Sequence, residues 1–136
     1  MFELVYFSVA RPNLTQKEIL DILVYSRKWN YEHDVTGLLI YNKVEFLQLI
    51  EGDETTIREL FEKIKKDVRH QNLILLAADS KKERVFANWN MAYQNVEIDE
   101  GKSDSFNNSI KAFSDLVEKP TLAVDLFWTM AKHLAR

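Results

Sequence analysis

Thr36-Gly37-Leu38-Leu39-Ile40-Tyr41-Asn42-Lys43-Val44-Glu45-Phe46-Leu47-Gln48-Leu49-Ile50-Glu51-Gly52 is two apolar runs parted by Asn42-Lys43, with a glycine toward each outer end. Both runs are rich in strand formers and Asn tolerates positive φ, so the stretch predicts a tight β-hairpin. Strand side chains alternate between faces, which puts Phe46, Gln48 and Ile50 on one side and Leu47, Leu49 and Glu51 on the other. Gln48 therefore looks out from the middle of an apolar strand. A buried primary amide costs about 1 kcal/mol or more for each donor or acceptor left unmet. Something polar must face it.

Outward from the hairpin, residues 2–9 are dense in aromatic and β-branched types and predict a first strand with Tyr6 near its middle, ended by Pro12-Asn13. Thr15 followed by Glu18 has the capping-box pattern, and Ile19, Ile22, Leu23, Ser26 and Asn30 recur at helical spacing, so a helix is expected over about 16–31. Beyond Gly52, residues 53–56 offer N-caps, and Ile57, Leu60, Phe61, Ile64 and Val68 form a second amphipathic stripe ending near Arg69. Residues 72–78 read as a buried fourth strand, 79–84 as a solvated turn or strand edge, and 86–96 as a fifth strand around Trp89, Met91 and Tyr93. This order predicts an α+β, ferredoxin-like βαββαβ sheet with one further strand and two helices on one face.

The acidic, polar residues 97–105 look like a linker, dividing the chain into a main domain over 1–97 and a C-terminal extension over 98–136. In the extension, Phe106, Ile110, Phe113 and Val117 make one helical stripe. Leu126, Phe127, Met130 and Leu134 make another, with Pro120 at its start. Two C-terminal helices are expected to cover the second sheet face. Phe127, Trp128 and Met130 are assigned to that packing, with an oligomer face or a partner site as the alternative.

Composition narrows the function. The 136 residues are 46% hydrophobic with a net charge of −3, enough for one domain with a real core. The charges are interspersed, so nucleic acid is not an expected partner. With no apolar run of membrane-spanning length and no signal-peptide pattern at Met1-Phe2-Glu3, a cytoplasmic location without membrane contact is expected. The absence of cysteine excludes disulfides and thiolate chemistry, and three scattered histidines give no ligand spacing, so no metal is expected.

Three polar residues sit where packing prefers hydrocarbon: Tyr6, Asn30 and Gln48. In a ferredoxin-like sheet the first and third strands are central neighbours and the first helix packs over them, so all three can converge. A phenol and two carboxamides suit a planar heterocycle with alternating carbonyl and ring-nitrogen positions better than a metal or an anion. Packing alone leaves other roles open. Tyr6 can be a core residue with a wet hydroxyl, Asn30 a helix cap, and Gln48 an amide satisfied internally. Trp89 with Met91 reads equally as core filling, and Arg69-His70 as an exposed pair at a helix end.

The blocks Leu4-Val5-Tyr6-Phe7-Ser8, Ser26-Arg27-Lys28-Trp29-Asn30, Val35-Thr36-Gly37-Leu38-Leu39-Ile40-Tyr41, Phe46-Leu47-Gln48-Leu49-Ile50-Glu51-Gly52, Asp67-Val68-Arg69-His70 and Phe86-Ala87-Asn88-Trp89-Asn90-Met91 occur in this order over about two-thirds of the chain. In order and spacing they resemble the BLUF domains, flavin-binding blue-light sensors. The resemblance implies that Tyr6 is the photoactive tyrosine, that Gln48 lies between it and the flavin, and that Asn30 bonds the pyrimidine edge. Ile22, Ser26, Phe46 and Ile64 would line the ring. Asp67, Arg69 and His70 would lie near the ribityl chain and pyrimidine end, and Lys63 near phosphate. Trp89 and Met91 would pass the signal outward. Trp29 occupies a variable position in the family and is given no role.

The cofactor so implied is FAD, with FMN or riboflavin as alternatives. The protein would be a short, stand-alone photoreceptor, not an enzyme, with an unidentified downstream protein partner and a homo-oligomeric state. A small ferredoxin-like hydrolase would need a nucleophile with a base, and neither is evident. A structural interaction module without flavin is the remaining alternative.

Overall fold

The structure is a computed structural model and describes residues 1–87, 90–95 and 121–134. Its strands are β1 (Phe2–Ala10), β2 (Thr36–Tyr41), β3 (Glu45–Gly52), β4 (His70–Ser80) and β5 (Ala92–Asn95), and its helices are α1 (Gln16–Glu32), α2 (Glu54–Lys65) and α3 (Leu122–Leu134). The strand order is β4-β1-β3-β2-β5, with β5 parallel to β2 and every other pairing antiparallel. The α+β ferredoxin-like arrangement expected from the sequence is present, and β5 is the additional strand.

Local chemistry sets the ends of these elements. Glu18 N–H donates to the Thr15 hydroxyl at 3.2 Å while Thr15 N–H donates to the Glu18 carboxylate at 3.2 Å, closing the capping box of α1. Asp53 caps α2 by accepting from Thr56 N–H, and the Thr121 hydroxyl caps α3 by accepting from Val124 N–H. In the hairpin, a Cβ at Gly37 would lie 2.1 Å from the Leu49 carbonyl oxygen. Only glycine lets β2 and β3 approach this closely there.

The sheet has two apolar faces. On one, Leu4, Leu39, Phe46 and Ile50 pack with Ile19 and Leu23 of α1 and Ile57 and Phe61 of α2. On the other, Val5, Leu38, Ile40, Leu47 and Leu49 pack with Val124, Phe127, Trp128 and Ala131 of α3. Each fully buried Leu, Ile or Phe contributes about 1.5–3 kcal/mol. Phe127 and Trp128 are therefore core residues, and the last helix covers the second face as expected. The expected helix around Phe106 to Val117 lies outside the described residues, as does the linker before it.

Three boundaries differ from the sequence expectation. The hairpin connection holds three residues, and positive φ (77°) falls on Lys43, not Asn42. The Asn42 side chain instead accepts N–H bonds from Val44 and Glu45, building the turn itself. Helix α2 stops at Lys65, and Val68, expected on its inner stripe, is 78% exposed. The Asp67 carboxylate takes the Arg69 N–H at 3.0 Å, which turns the chain into an earlier and longer β4. Strand β5 begins at Ala92 instead of Phe86, because the N–H groups of Val85 and Phe86 donate to the Glu51 carboxylate at 2.8 and 2.6 Å. Those amides are unavailable to a ladder.

Candidate functional site

Tyr6 and Gln48 are direct cross-strand partners in the antiparallel β1–β3 ladder, so their side chains rise from the same sheet face, under α1 and α2. The Tyr6 hydroxyl donates to the Gln48 side-chain carbonyl, Oε1. Gln48 Nε2 in turn donates to Met91 Sδ at 3.2 Å. Sulfur is a weak acceptor, so this amide is held without being saturated. Burial pushes the Tyr6 phenol well above its ordinary pKa, and the charge of Asp67 adds to the rise.

Asn30 reaches the same space from the inner stripe of α1. It is not the helix cap; His33 takes that position, and the Asn30 side chain donates to the Asn90 carbonyl at 2.6 Å. Asn90 continues the tether by donating to the Val35 carbonyl at 3.2 Å. Together with the 3.1 Å bond from Arg27 Nε to the Met91 carbonyl, these contacts bind the segment before β5 to α1 and the start of β2.

Between the helices and the sheet lies a cavity of about 400 Å³, within the ~300–1,000 Å³ range of small-molecule sites. Its floor includes Tyr6, Leu39, Phe46 and Gln48, α1 supplies Ile22, Ser26 and Asn30, and α2 supplies Lys63 and Ile64. Asp67, Arg69, His70 and Met91 complete the wall. Every described residue expected at the site from the sequence thus borders one space. Trp89 lies outside the described residues.

At one end of the cavity Arg69 is paired with Asp67, with Nη2 at 2.5 Å and Nε at 2.8 Å from carboxylate oxygens. Burial raises the Asp67 carboxyl, but the bonds from Arg69 outweigh it and leave the pKa below the usual carboxylate range. His70 is half-buried, not an exposed helix-end residue. Its Nε2 lies 2.5 Å from the Ile64 carbonyl, an acceptor only, so Nε2 donates; its Nδ1 lies 2.8 Å from the Ser8 hydroxyl. The ring stands edge-on to Tyr6 and Phe46.

Sequence reasoning missed Tyr25, Trp29, Leu39 and Lys66, which also border the cavity, as does Leu60 of the expected α2 stripe. Tyr25 and Trp29 follow Ile22 at steps of three and four, so α1's periodicity carried the signal for both. Among the described residues there is no group of three or more His, Asp or Glu that could hold a metal ion, and no helix long and apolar enough to cross a membrane.

A family model described as BLUF, sensors of blue light using FAD, matches residues 1–92. The blue light- and temperature-regulated antirepressor BluF of Escherichia coli K12 is 31% identical over 97 residues, which is 71% of this chain and 24% of that protein. The chain spans a quarter or less of the length of this and the other curated relatives it matches. Among solved structures, the dark state of the BLUF protein BlrB aligns over 97% of this chain and 96% of its own, at 29% identity and a TM-score of 0.71. Photo-activated BlsA aligns over 96% and 94%, at 28% identity and a TM-score of 0.70.

Proposed function

The chain belongs to the BLUF family, and from that premise we propose that Tyr6, Gln48 and Met91 form the light-driven hydrogen-bond switch of a flavin photoreceptor. The observation that carries this reading is the bond from the Tyr6 hydroxyl to Gln48 Oε1, continued from Gln48 Nε2 to Met91, along the floor of a cavity. A flavin fits that cavity on physical grounds. Ile22, Phe46 and Ile64 offer apolar walls to a flat ring, while the Asn30 and Gln48 amides both donate and accept, as alternating ring carbonyls and nitrogens require.

When bound, the flavin supplies blue-light absorption and, once excited, a strong oxidant. Tyr6 would be the electron donor to it, and the phenolic proton would move to Gln48 Oε1 along a bond already made. The raised pKa of Tyr6 keeps that proton in place until the electron leaves. Gln48, having accepted a proton at oxygen, would pass one on from nitrogen; when the electron and a proton return to Tyr6 the phenol is restored, and the amide alone would be left rotated or tautomerised. Half a turn of the amide exchanges Oε1 and Nε2, breaking the bond to Met91 Sδ. Met91 immediately precedes β5, so the change reaches the segment that Asn30 and Arg27 tether to α1. Trp89 is assigned to the same output segment.

In this reading the cofactor is FAD, residues 1–97 are the sensing unit, and 98–136 with α3 is the element through which a downstream protein is contacted. No substrate is turned over, the chain works as a homo-oligomer, and its compartment is the cytoplasm. Purified protein is expected to be yellow, with a blue absorption band that moves to longer wavelength on illumination. Tyr6→Phe is expected to keep the flavin and lose the shift. A colourless protein that no flavin can reconstitute, or an undiminished shift in Tyr6→Phe, overturns the proposal.

A further inference from the structure

Helix α1 lines the cavity with one face and carries an apolar stripe on another. Leu20, Val24 and Tyr31 are 53%, 68% and 76% exposed. At about 3.6 residues per turn they fall within about 40° of one another, so they form a single seam on the solvent side of the helix. The packing of α1 does not use it: Ile19, Leu23 and Asn30 supply the buried face.

On one flank of the seam stand Lys17, Asp21, Lys28 and Glu32, all exposed and within about 60° of arc. Lys17 with Asp21, and Lys28 with Glu32, have the i,i+4 spacing of helix ion pairs. Neither pair forms, and among the described residues none of the four side chains is in a salt bridge. The charge of Asp21 is felt at Arg69.

The flank reads plus, minus, plus, minus along the helix, an order that complements itself when a second α1 runs antiparallel. In a two-fold dimer that sets Leu20 against Tyr31 of the second copy, equal flanks face each other. Lys17 then comes within about two residues of axial rise, ~3 Å, of Glu32 of the second copy, and Asp21 within the same rise of Lys28. Every charge on the flank meets its opposite. A parallel arrangement opposes like charges, and a partner of uniform sign is repelled by half of the flank.

We propose that the outer face of α1 is a homodimer contact in which two copies of this chain pair antiparallel, with Leu20, Val24 and Tyr31 as the apolar seam and the four charges setting its register. This names a contact surface for the homo-oligomer proposed above, and it does not rest on the flavin, because the seam lies on the side of α1 away from the cavity. Leu20 and Tyr31 are about 16 Å apart along the axis, so the contact belongs with small, reversible interfaces and the dimer depends on concentration.

Sedimentation velocity of the full chain as purified, in the dark and from about 2 to 200 μM, tests it. The unmodified protein is expected to pass from monomer to dimer as concentration rises, and added sodium chloride to reverse this, because the register pairs are exposed. Leu20→Glu with Tyr31→Glu sets like charges face to face and is expected to weaken dimerisation at least about tenfold. Lys17→Glu with Lys28→Glu makes the flank wholly acidic, and Asp21→Lys with Glu32→Lys makes it wholly basic. Each of these two is expected to be monomeric alone, and their equimolar mixture to dimerise.

An unmodified protein that is monomeric throughout, a dimer that salt strengthens, or a mixture that fails to associate overturns the proposal. So does a dimer that survives Leu20→Glu with Tyr31→Glu but is lost in Ile74→Lys with Leu75→Lys, since the exposed residues of the edge strand β4 then carry the contact. A yellow, light-responsive monomer overturns the α1 contact and leaves the light switch intact; a colourless protein that dimerises through α1 does the reverse. The concentration and salt responses need no variant, so a substitution that fails to fold does not remove the test.

Discussion

At the scale of single residues, Tyr6 is held as a neutral phenol chiefly by desolvation, with the Asp67 charge a smaller contribution. Its folded pKa lies above the unfolded value of roughly 10. The stability linked to this proton is thus fully present below about pH 10 and is lost as pH rises beyond, where only the unfolded chain releases the proton. Tyr6→Phe has no proton to lose. Urea unfolding of the two proteins is expected to show a constant stability difference from pH 7 to 9. Above pH 10 the difference should move in favour of Tyr6→Phe by up to about 1.4 kcal/mol per pH unit. A difference that stays flat through pH 11 would mean that Tyr6 ionises as freely in the fold as outside it. The polar intruder Gln48 was legible in the sequence because strand alternation fixes its face, and Tyr6 because the ferredoxin-like order makes β1 and β3 neighbours. Met91 as the partner of Gln48 was not legible as a contact, since it depends on where the chain re-enters the sheet after residue 87.

At the scale of elements, periodicity located the strands and helices well and their ends less well. Val68 follows Ile64 by four residues and so extends the apolar pattern of α2, yet the Asp67 side chain diverts the backbone before it can be buried. The start of β5 was illegible for a different reason: its determinant, Glu51, lies 34 residues before Val85. The buried Glu51 carboxylate accepts the Val85 and Phe86 amides and the Thr36 hydroxyl and pairs with the buried Lys81. Glu3, 3.6 Å from Lys81, is raised in pKa by burial against the lowering effects of Thr121 and Lys81, and it receives the Thr121 hydroxyl that caps α3. One buried cluster therefore fastens the loop before β5 and the start of α3 to the same sheet. Glu51→Ala leaves Lys81 with only the longer contact to Glu3. It is expected to cost about 3–5 kcal/mol in chemical unfolding and to abolish slow hydrogen exchange at Val85 and Phe86. Unchanged exchange at those two amides would show that the loop is held by something else.

At the scale of the whole molecule, the sheet separates two cores that share no side chain among the described residues, because alternate residues of β1, β2 and β3 point to opposite faces. The cavity lies on one side and α3 closes the other, so the cavity and the packing under α3 occupy opposite faces even though both are built on β3. Phe127 of α3 is fully buried against the sheet, and its replacement by Ala is expected to cost about 3–5 kcal/mol through lost burial and the cavity left behind. Ile57→Val, on the helix α2 side, is expected to cost about 1 kcal/mol. Since the two residues belong to different cores among the described residues, the double variant should lose the sum of the single losses to within about 0.5 kcal/mol. Riboflavin affinity of the folded Phe127→Ala protein should match that of the unmodified protein. A coupling energy well above 0.5 kcal/mol, or a weakened riboflavin site in Phe127→Ala, would mean that the sheet transmits packing changes between its faces in the dark. In the proposed switch, Gln48 would then have a route to α3 that needs no break at Met91.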